Sequence, residues 1–184
     1  IIKRFDMADT GEYLGFEDFC VLNGSPSRTK YDGSYEGAAR QIKAFVSPHL
    51  LNQALESLFK IVALSAGLKN GDAHLKNFGV LYGHCGVDAT IRLAPAYDIV
   101  TTAVYIRNDN MALLLGGSKA WPKHKMLMQF GRSACNLTEK RCKELIEQVI
   151  HGMDLAMAEM RRYMGANQQF RATGEAMIEV WTAG

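Results

Sequence analysis

Cysteine is sparse in this chain, and the four that occur (Cys20, Cys85, Cys135 and Cys142) never fall at C-x-x-C spacing. That removes a thiolate zinc knuckle and argues against a disulfide framework, so reduced thiols in a cytoplasmic protein are expected. An excess of either charge is missing too. The 21 Lys and Arg against 19 Asp and Glu leave a formal net charge of +2, too little to steer the chain onto nucleic acid or a membrane surface. No apolar run approaches the ~18 residues a transmembrane helix needs. No basic-then-apolar leader opens the chain, and the first residue is Ile1 rather than Met, which reads as an excised piece. Fixed-period repeats and low-complexity tracts are absent as well. His49, His84, His124 and His151 show no zinc-ligand spacing.

Apolar side chains are abundant. At 48% hydrophobic over 184 residues, the chain excludes wholesale disorder and suits one domain, a size at which about 70% of the unfolded surface can be buried. The pattern predicts an α+β fold that is mostly helical. Residues 47–66 read as a helix with Ser47 as N-cap, Pro48 in its first turn and Gly67 just past its end. Helices are also expected over 15–22, 36–45 (Ala38, Ala39, Ile42 and Phe45 on one face), 123–132, from Thr138 as N-cap to about Met164, and over 167–181. The long helix should bury Leu145, Val149, Ala156, Met160 and Tyr163 and close at Gly165. The last should seek the core with Phe170, Met177, Ile178 and Trp181. The methionines between Met153 and Met164 read as packing. Strands are predicted over 1–5, 78–82 and 89–93, the last two joined by a turn at Gly83-His84-Cys85-Gly86.

Chemistry concentrates in Asn70-Gly71-Asp72-Ala73-His74-Leu75-Lys76-Asn77, a polar loop between an apolar helix and an apolar strand. Four residues separate Asp72 from Asn77, the spacing that kinases use for base and metal-binding Asn. A hairpin after Asn77 would fold Asp98, in Ala94-Pro95-Ala96-Tyr97-Asp98-Ile99, back beside it. Asn77 and Asp98 would then offer hard oxygens to Mg²⁺, which takes few protein ligands beside phosphate and water. Asp72 is the candidate base: a carboxylate in hydrogen-bond reach both orients an acceptor hydroxyl and takes its proton. Lys76 is placed to offset charge on a transferred phosphoryl group, and His74 to orient Asp72 or touch phosphate. Each also has a plainer reading, as a turn-capping Asp, a loop amide or a solvated Lys.

N-G-D-A-H-L-K-N-F followed by L-A-P-A-Y-D-I resembles the catalytic and metal-binding motifs of the HipA-like serine/threonine kinases, the bacterial persistence-toxin family. The opening Ile1-Ile2-Lys3-Arg4-Phe5-Asp6 and the pair Lys30-Tyr31 are similar in order and position, and the likeness weakens after about Tyr105. Asp98 stands in Y-D-I, as in that family, rather than in D-F-G. The resemblance implies the C-terminal lobe of a protein-kinase-like fold with a small catalytic β-hairpin. In it, residues 1–6 are the hinge and the end of the N-lobe strand, 47–99 the catalytic core and 122–184 the C-terminal helices. It further implies ATP with Mg²⁺ as cofactors, Lys3, Arg4 and Phe5 lining the adenine site, and Lys30-Tyr31 near peptide or phosphate. A Ser/Thr-bearing protein as substrate, autophosphorylation and a DNA-binding antitoxin as partner of the whole protein are also implied, with an aminoacyl-tRNA synthetase as target in some relatives. The glycine-rich lid, strand lysine and helix glutamate of a kinase would lie before Lys3. The isolated stretch is therefore expected to be at most weakly active and to expose an apolar patch where that lobe docks. Two alternatives stay open: a small-molecule kinase of the aminoglycoside or choline type, whose H-G-D-x-x-x-x-N loop is close to this one, and a non-catalytic fragment that binds an antitoxin.

Overall fold

The computed structural model describes residues 4–84, 86 and 88–183. Its core is built around α3 (Leu51–Gly67), which buries Ala54, Leu55, Leu58, Phe59, Ile61 and Val62. Apolar residues on most of its circumference mean that α3 needs partners on several sides. It finds them in α2 (Tyr35–Phe45), α4 (His124–Ser133) and α5 (Glu139–Ala166). Each fully buried Leu or Phe here contributes about 1.5–3 kcal/mol. Phe59 stacks on Phe130 of α4 with centroids 6.3 Å apart. The apolar run after Asn110 joins the same core, with Met111, Leu113 and Leu115 buried. A last helix, α6 (Arg171–Thr182), packs on α5, and Trp181 Nε1 donates to Thr101 Oγ1 at 2.8 Å. Among the described residues no helix is long and apolar enough to cross a membrane. Cys20, Cys135 and Cys142 are buried and unpaired; Cys85 lies outside the described residues.

A small antiparallel sheet lies against this bundle in the order β1-β2-β3, formed by β1 (Gly15–Asp18), β2 (Gly79–Tyr82) and β3 (Arg92–Leu93). β2 and β3 are the expected hairpin, with Val80 opposite Leu93 and Leu81 opposite Arg92. β3 is shorter than predicted because residues 89–91 do not pair as strand; Ile91 exchanges hydrogen bonds with Ser47 instead.

Several local expectations are corrected. The helix predicted over 15–22 is a strand followed by the short α1 (Phe19–Leu22), because Gly15 to Asp18 pair with residues 79–82, more than sixty positions away. Ser47 does not cap the α3 region: its hydroxyl accepts from Ile91 N–H at 2.9 Å, and the helix is entered through a 3₁₀ turn, Pro48–Leu50. Gly67 is the last helical residue, and the left-handed turn falls on Lys69 at φ +53°. Phe45 is exposed. Thr138 does cap α5, accepting from Arg141 N–H at 3.2 Å, but the helix runs past Gly165 and its predicted stripe is only partly covered. Leu145 is buried, Val149 and Met160 are half-buried, and Ala156 and Tyr163 are exposed, since the far part of α5 outruns the core and leans on α6. The N-terminal strand call falls partly on residues 1–3, outside the described residues; Arg4 and Phe5 are not in a strand.

Candidate functional site

The segment from Lys69 to Phe78 follows α3 directly and is tied down from several elements. The positive φ of Lys69 turns its carbonyl to accept from Thr102 N–H at 3.2 Å and Thr102 Oγ1 at 3.1 Å. Gly71 N–H donates to the same Thr102 hydroxyl at 2.6 Å. A side chain at Gly71 has no room, because an added Cβ would lie 2.4 Å from Asp109 Oδ1 and 2.6 Å from the Asn110 carbonyl oxygen. Asn70 is fully buried and its Oδ1 accepts from Asp72 N–H at 3.1 Å, a local turn that presents Asp72 outward. Tyr35, at the start of α2, donates its hydroxyl to the Ala73 carbonyl at 3.1 Å, and Leu75 N–H donates to the Lys30 carbonyl at 3.0 Å.

Asn77 and Asp98 are brought together. Asn77 Nδ2 donates to Asp98 Oδ2 at 2.9 Å, while Asn77 Oδ1 accepts from His74 N–H at 3.1 Å. Asp98 takes φ +54°, a left-handed conformation that costs a non-glycine residue about 1–2 kcal/mol but that Asp tolerates better than most. The strain sits beside an anchor: Tyr97 donates its hydroxyl to the Lys76 carbonyl at 2.5 Å and stacks on Phe5 at 4.9 Å. With its neighbour fixed, Asp98 is turned toward Asn77.

His74 lies beside the other candidate carboxylate. Its Nε2 is 3.9 Å from Asp72 Oδ1, and the charges of both Asp72 and Asp98 reach it. Burial, followed by the nearby Lys30 ammonium, pushes the His74 imidazole below its ordinary value, against the smaller pull of the two aspartates. Asp72 Oδ1 accepts a 2.6 Å hydrogen bond from the Tyr31 hydroxyl. Lys76 is paired with Asp18: its ammonium donates to Asp18 Oδ2 at 2.6 Å, and that bond raises it above the usual lysine value. Asp18 serves twice, since its Oδ1 also caps α1 at Val21 N–H.

The residues drawn from the opening stretch separate. Arg4 pairs with Asp6 and lies 5.2 Å over the Tyr13 ring, away from the loop. Phe5 packs with Phe16 and Tyr97 in an aromatic cluster that abuts Asp98 through Tyr97. Lys3 lies outside the described residues.

The donor set fits a hard cation. Asp98 is exposed and Asn77 lies against it, its amide nitrogen facing Asp98 and its carbonyl oxygen turned to His74 N–H, so that a turn of the amide would present that oxygen beside Asp98. Among the described residues no group of three or more His, Cys, Asp or Glu competes as a metal cage. Two protein oxygens leave positions open for phosphate and water, the arrangement Mg²⁺ favours. Sequence reasoning missed Asp18, Tyr97 and Thr102. Asp18 alone carried a signal, standing as a capping residue just before Phe19-Cys20-Val21-Leu22.

Known proteins resemble this chain in sequence and in fold. The family model described as HipA-like C-terminal domain matches residues 1–157. Two curated proteins of Sinorhizobium fredii (strain NBRC 101917 / NGR234) are similar. "Putative kinase Y4dM" is 32% identical over 113 residues, 61% of this chain and 26% of that protein. "Putative kinase Y4mE" is 33% identical over 110 residues, 54% of this chain and 24% of that protein. Among solved structures, the Shewanella oneidensis MR-1 HipA, HipB and operator DNA complex contains a chain that superposes with a TM-score of 0.74. That match covers 97% of this chain and 47% of that one at 16% identity, a likeness of fold. The chain thus spans about a quarter of the length of these curated relatives and about half of the solved chain.

Proposed function

The chain belongs to the HipA-like C-terminal domain family, and from that premise we propose that it is the catalytic lobe of a serine/threonine protein kinase. The observation that carries this reading is the Asn77–Asp98 hydrogen bond, which brings Asp98, beyond β3 and 21 positions on, to Asn77 of the loop that also presents Asp72. Asn77, with its amide turned to present Oδ1, and Asp98 would hold the divalent cation. Bound ATP–Mg²⁺ supplies the phosphoryl group and the positive charge that steadies it. Asp72 orients the acceptor hydroxyl and takes its proton as the oxygen bonds to the γ-phosphorus and the link to the β-phosphate breaks. Lys76, fixed by Asp18, keeps a positive charge close to the loop, and Phe5 offers an aromatic face beside Tyr97 for the adenine side of the site. His74, neutral and buried, packs against Asp72 and keeps water from its inner side.

The domain division follows the same reading: 1–6 as hinge, 47–99 as catalytic core and 122–184 as supporting helices. HipA of Shewanella oneidensis is found with HipB and operator DNA, and we extend a DNA-binding antitoxin partner to the whole protein, in the cytoplasm, without direct nucleic-acid contact by this near-neutral lobe.

The test uses the chain extended upstream toward the length of its relatives. Given ATP–Mg²⁺ and a choice of protein extract, amino alcohols and aminoglycosides, it should place phosphate on Ser or Thr of protein. Asp72→Asn should lower that rate by about 10²–10⁴-fold. Phosphate appearing on an amino alcohol or aminoglycoside instead would assign the site to small molecules.

A further inference from the structure

Tyr31, set by the resemblance near peptide or phosphate, reaches with its hydroxyl across 41 positions of sequence to the candidate base. We propose that Tyr31 is the positioning residue of Asp72, fixing one carboxylate oxygen so that the other faces the acceptor hydroxyl. This rests on the reading of Asp72 as the base.

The two oxygens of Asp72 are unlike. Oδ1 accepts from Tyr31 at 2.6 Å and is the oxygen nearer to His74. Among the described residues nothing donates to Oδ2, and the side chain is 39% exposed. A carboxylate held by one oxygen and open at the other has a defined direction in which to receive a proton. Without the phenol, Asp72 keeps its backbone ties, its N–H to Asn70 Oδ1 and its carbonyl accepting from His74 N–H at 2.8 Å, and these leave the side-chain torsions unspecified. A hydrogen bond onto a carboxylate is also among the stronger kinds, so it can hold a rotamer that solvent would otherwise share.

Tyr31 is itself built in. Its ring stands edge-on to His74 with centroids 5.1 Å apart, and the Lys30 ammonium lies 5.0 Å over its face. The Tyr31 carbonyl accepts from Lys119 Nζ at 3.3 Å, and the preceding Lys30 carbonyl accepts from Leu75 N–H inside the catalytic loop. The Asp72 carboxylate in turn keeps the phenol protonated, its pKa pushed up to about 12, so it remains a donor throughout the working range. The loop between α1 and α2 is thereby a second support of the base, independent of Thr102 and Asn70.

Tyr31→Phe keeps the ring contacts and removes only the donor. In the upstream-extended chain it should lower kcat about tenfold or more, leaving KM for ATP unchanged. In an Asp72→Asn background the same substitution should add no further loss, because the group it positions is gone. Wild-type kcat in Tyr31→Phe beside a crippled Asp72→Asn overturns this proposal alone. A loss that multiplies with Asp72→Asn assigns Tyr31 to packing and overturns it too. Wild-type kcat in Asp72→Asn overturns the base assignment and Tyr31's role with it.

Discussion

His74 shows how one side chain can be read from its neighbours. It is 6% exposed, sits between two aspartates, and still has its imidazole pushed below the usual value, because burial and Lys30 together outweigh them. Its Nδ1 finds no hydrogen-bond partner among the described residues, which favours the neutral ring further, since a charged imidazole would need both nitrogens paired. The sign for stability follows. A depressed cationic pKa means the unfolded chain binds the extra proton more readily, so the contribution is complete above the unfolded value of about 6.5. It is lost as pH falls through the folded value. Melting temperatures measured from pH 7.5 down to 5 should therefore fall on the acid side, and His74→Gln should flatten that part of the slope. An unchanged slope in the variant would show that His74 is not the group responsible. At this scale the sequence was half legible. Asp72 and Asn77 share one loop, so their spacing could be counted, and Asp98 follows from a hairpin. Tyr31, Asp18 and Thr102 reach the loop from elsewhere in the chain, and nothing local to them announces the pairing. Lys76 is held by Asp18, a partner made available only once β1 lies beside β2.

Among the elements, helices were the more legible because their information is local: capping at Thr138, the Ala38/Ala39/Ile42 face of α2, the apolar α3. The strand β1 was not, since four residues, Gly-Phe-Glu-Asp, hold too little alternation to outvote a helical reading, and their pairing with 79–82 is non-local. The far half of α5 was misjudged for the opposite reason: its periodicity continues after the core has ended. Where three helices do meet, the fit is close. At Gly131 of α4 an added Cβ would come within 2.5 Å of Cys142 Sγ on α5 and 2.8 Å of Phe59 Cε2 on α3. Gly131→Ala should accordingly destabilise the fold by about 1–3 kcal/mol through overpacking, read as a lower denaturation midpoint with an unchanged slope. A neutral effect would mean that α3, α4 and α5 separate more easily than their packing implies. The junction matters for the site because α3 leads straight into the Asn70–Asn77 loop, whose first turn is fixed by Asn70 N–H donating to the Ser65 carbonyl at 2.8 Å.

At the scale of the molecule, a helical bundle supports a three-stranded sheet, and the candidate centre lies where the two meet. The loop after α3 supplies Asp72 and Asn77, the chain leaving β3 supplies Asp98, and the segment after it returns through Thr102 to lock the loop. Likeness to a chain of the Shewanella oneidensis complex over 97% of this one shows that the same framework is shared at 16% identity. The central claim is that Asp72, Asn77 and Asp98 act on one metal-bound nucleotide. It is tested most directly by measuring ATP binding with and without Mg²⁺, and phosphotransfer, in the upstream-extended chain beside its Asp72→Asn and Asp98→Asn variants. The account predicts Mg²⁺-dependent binding in the wild type, loss of that dependence and of transfer in Asp98→Asn, and retained binding with transfer reduced about 10²–10⁴-fold in Asp72→Asn. Binding and transfer in Asp98→Asn equal to the wild type, with the same response to Mg²⁺, would contradict it.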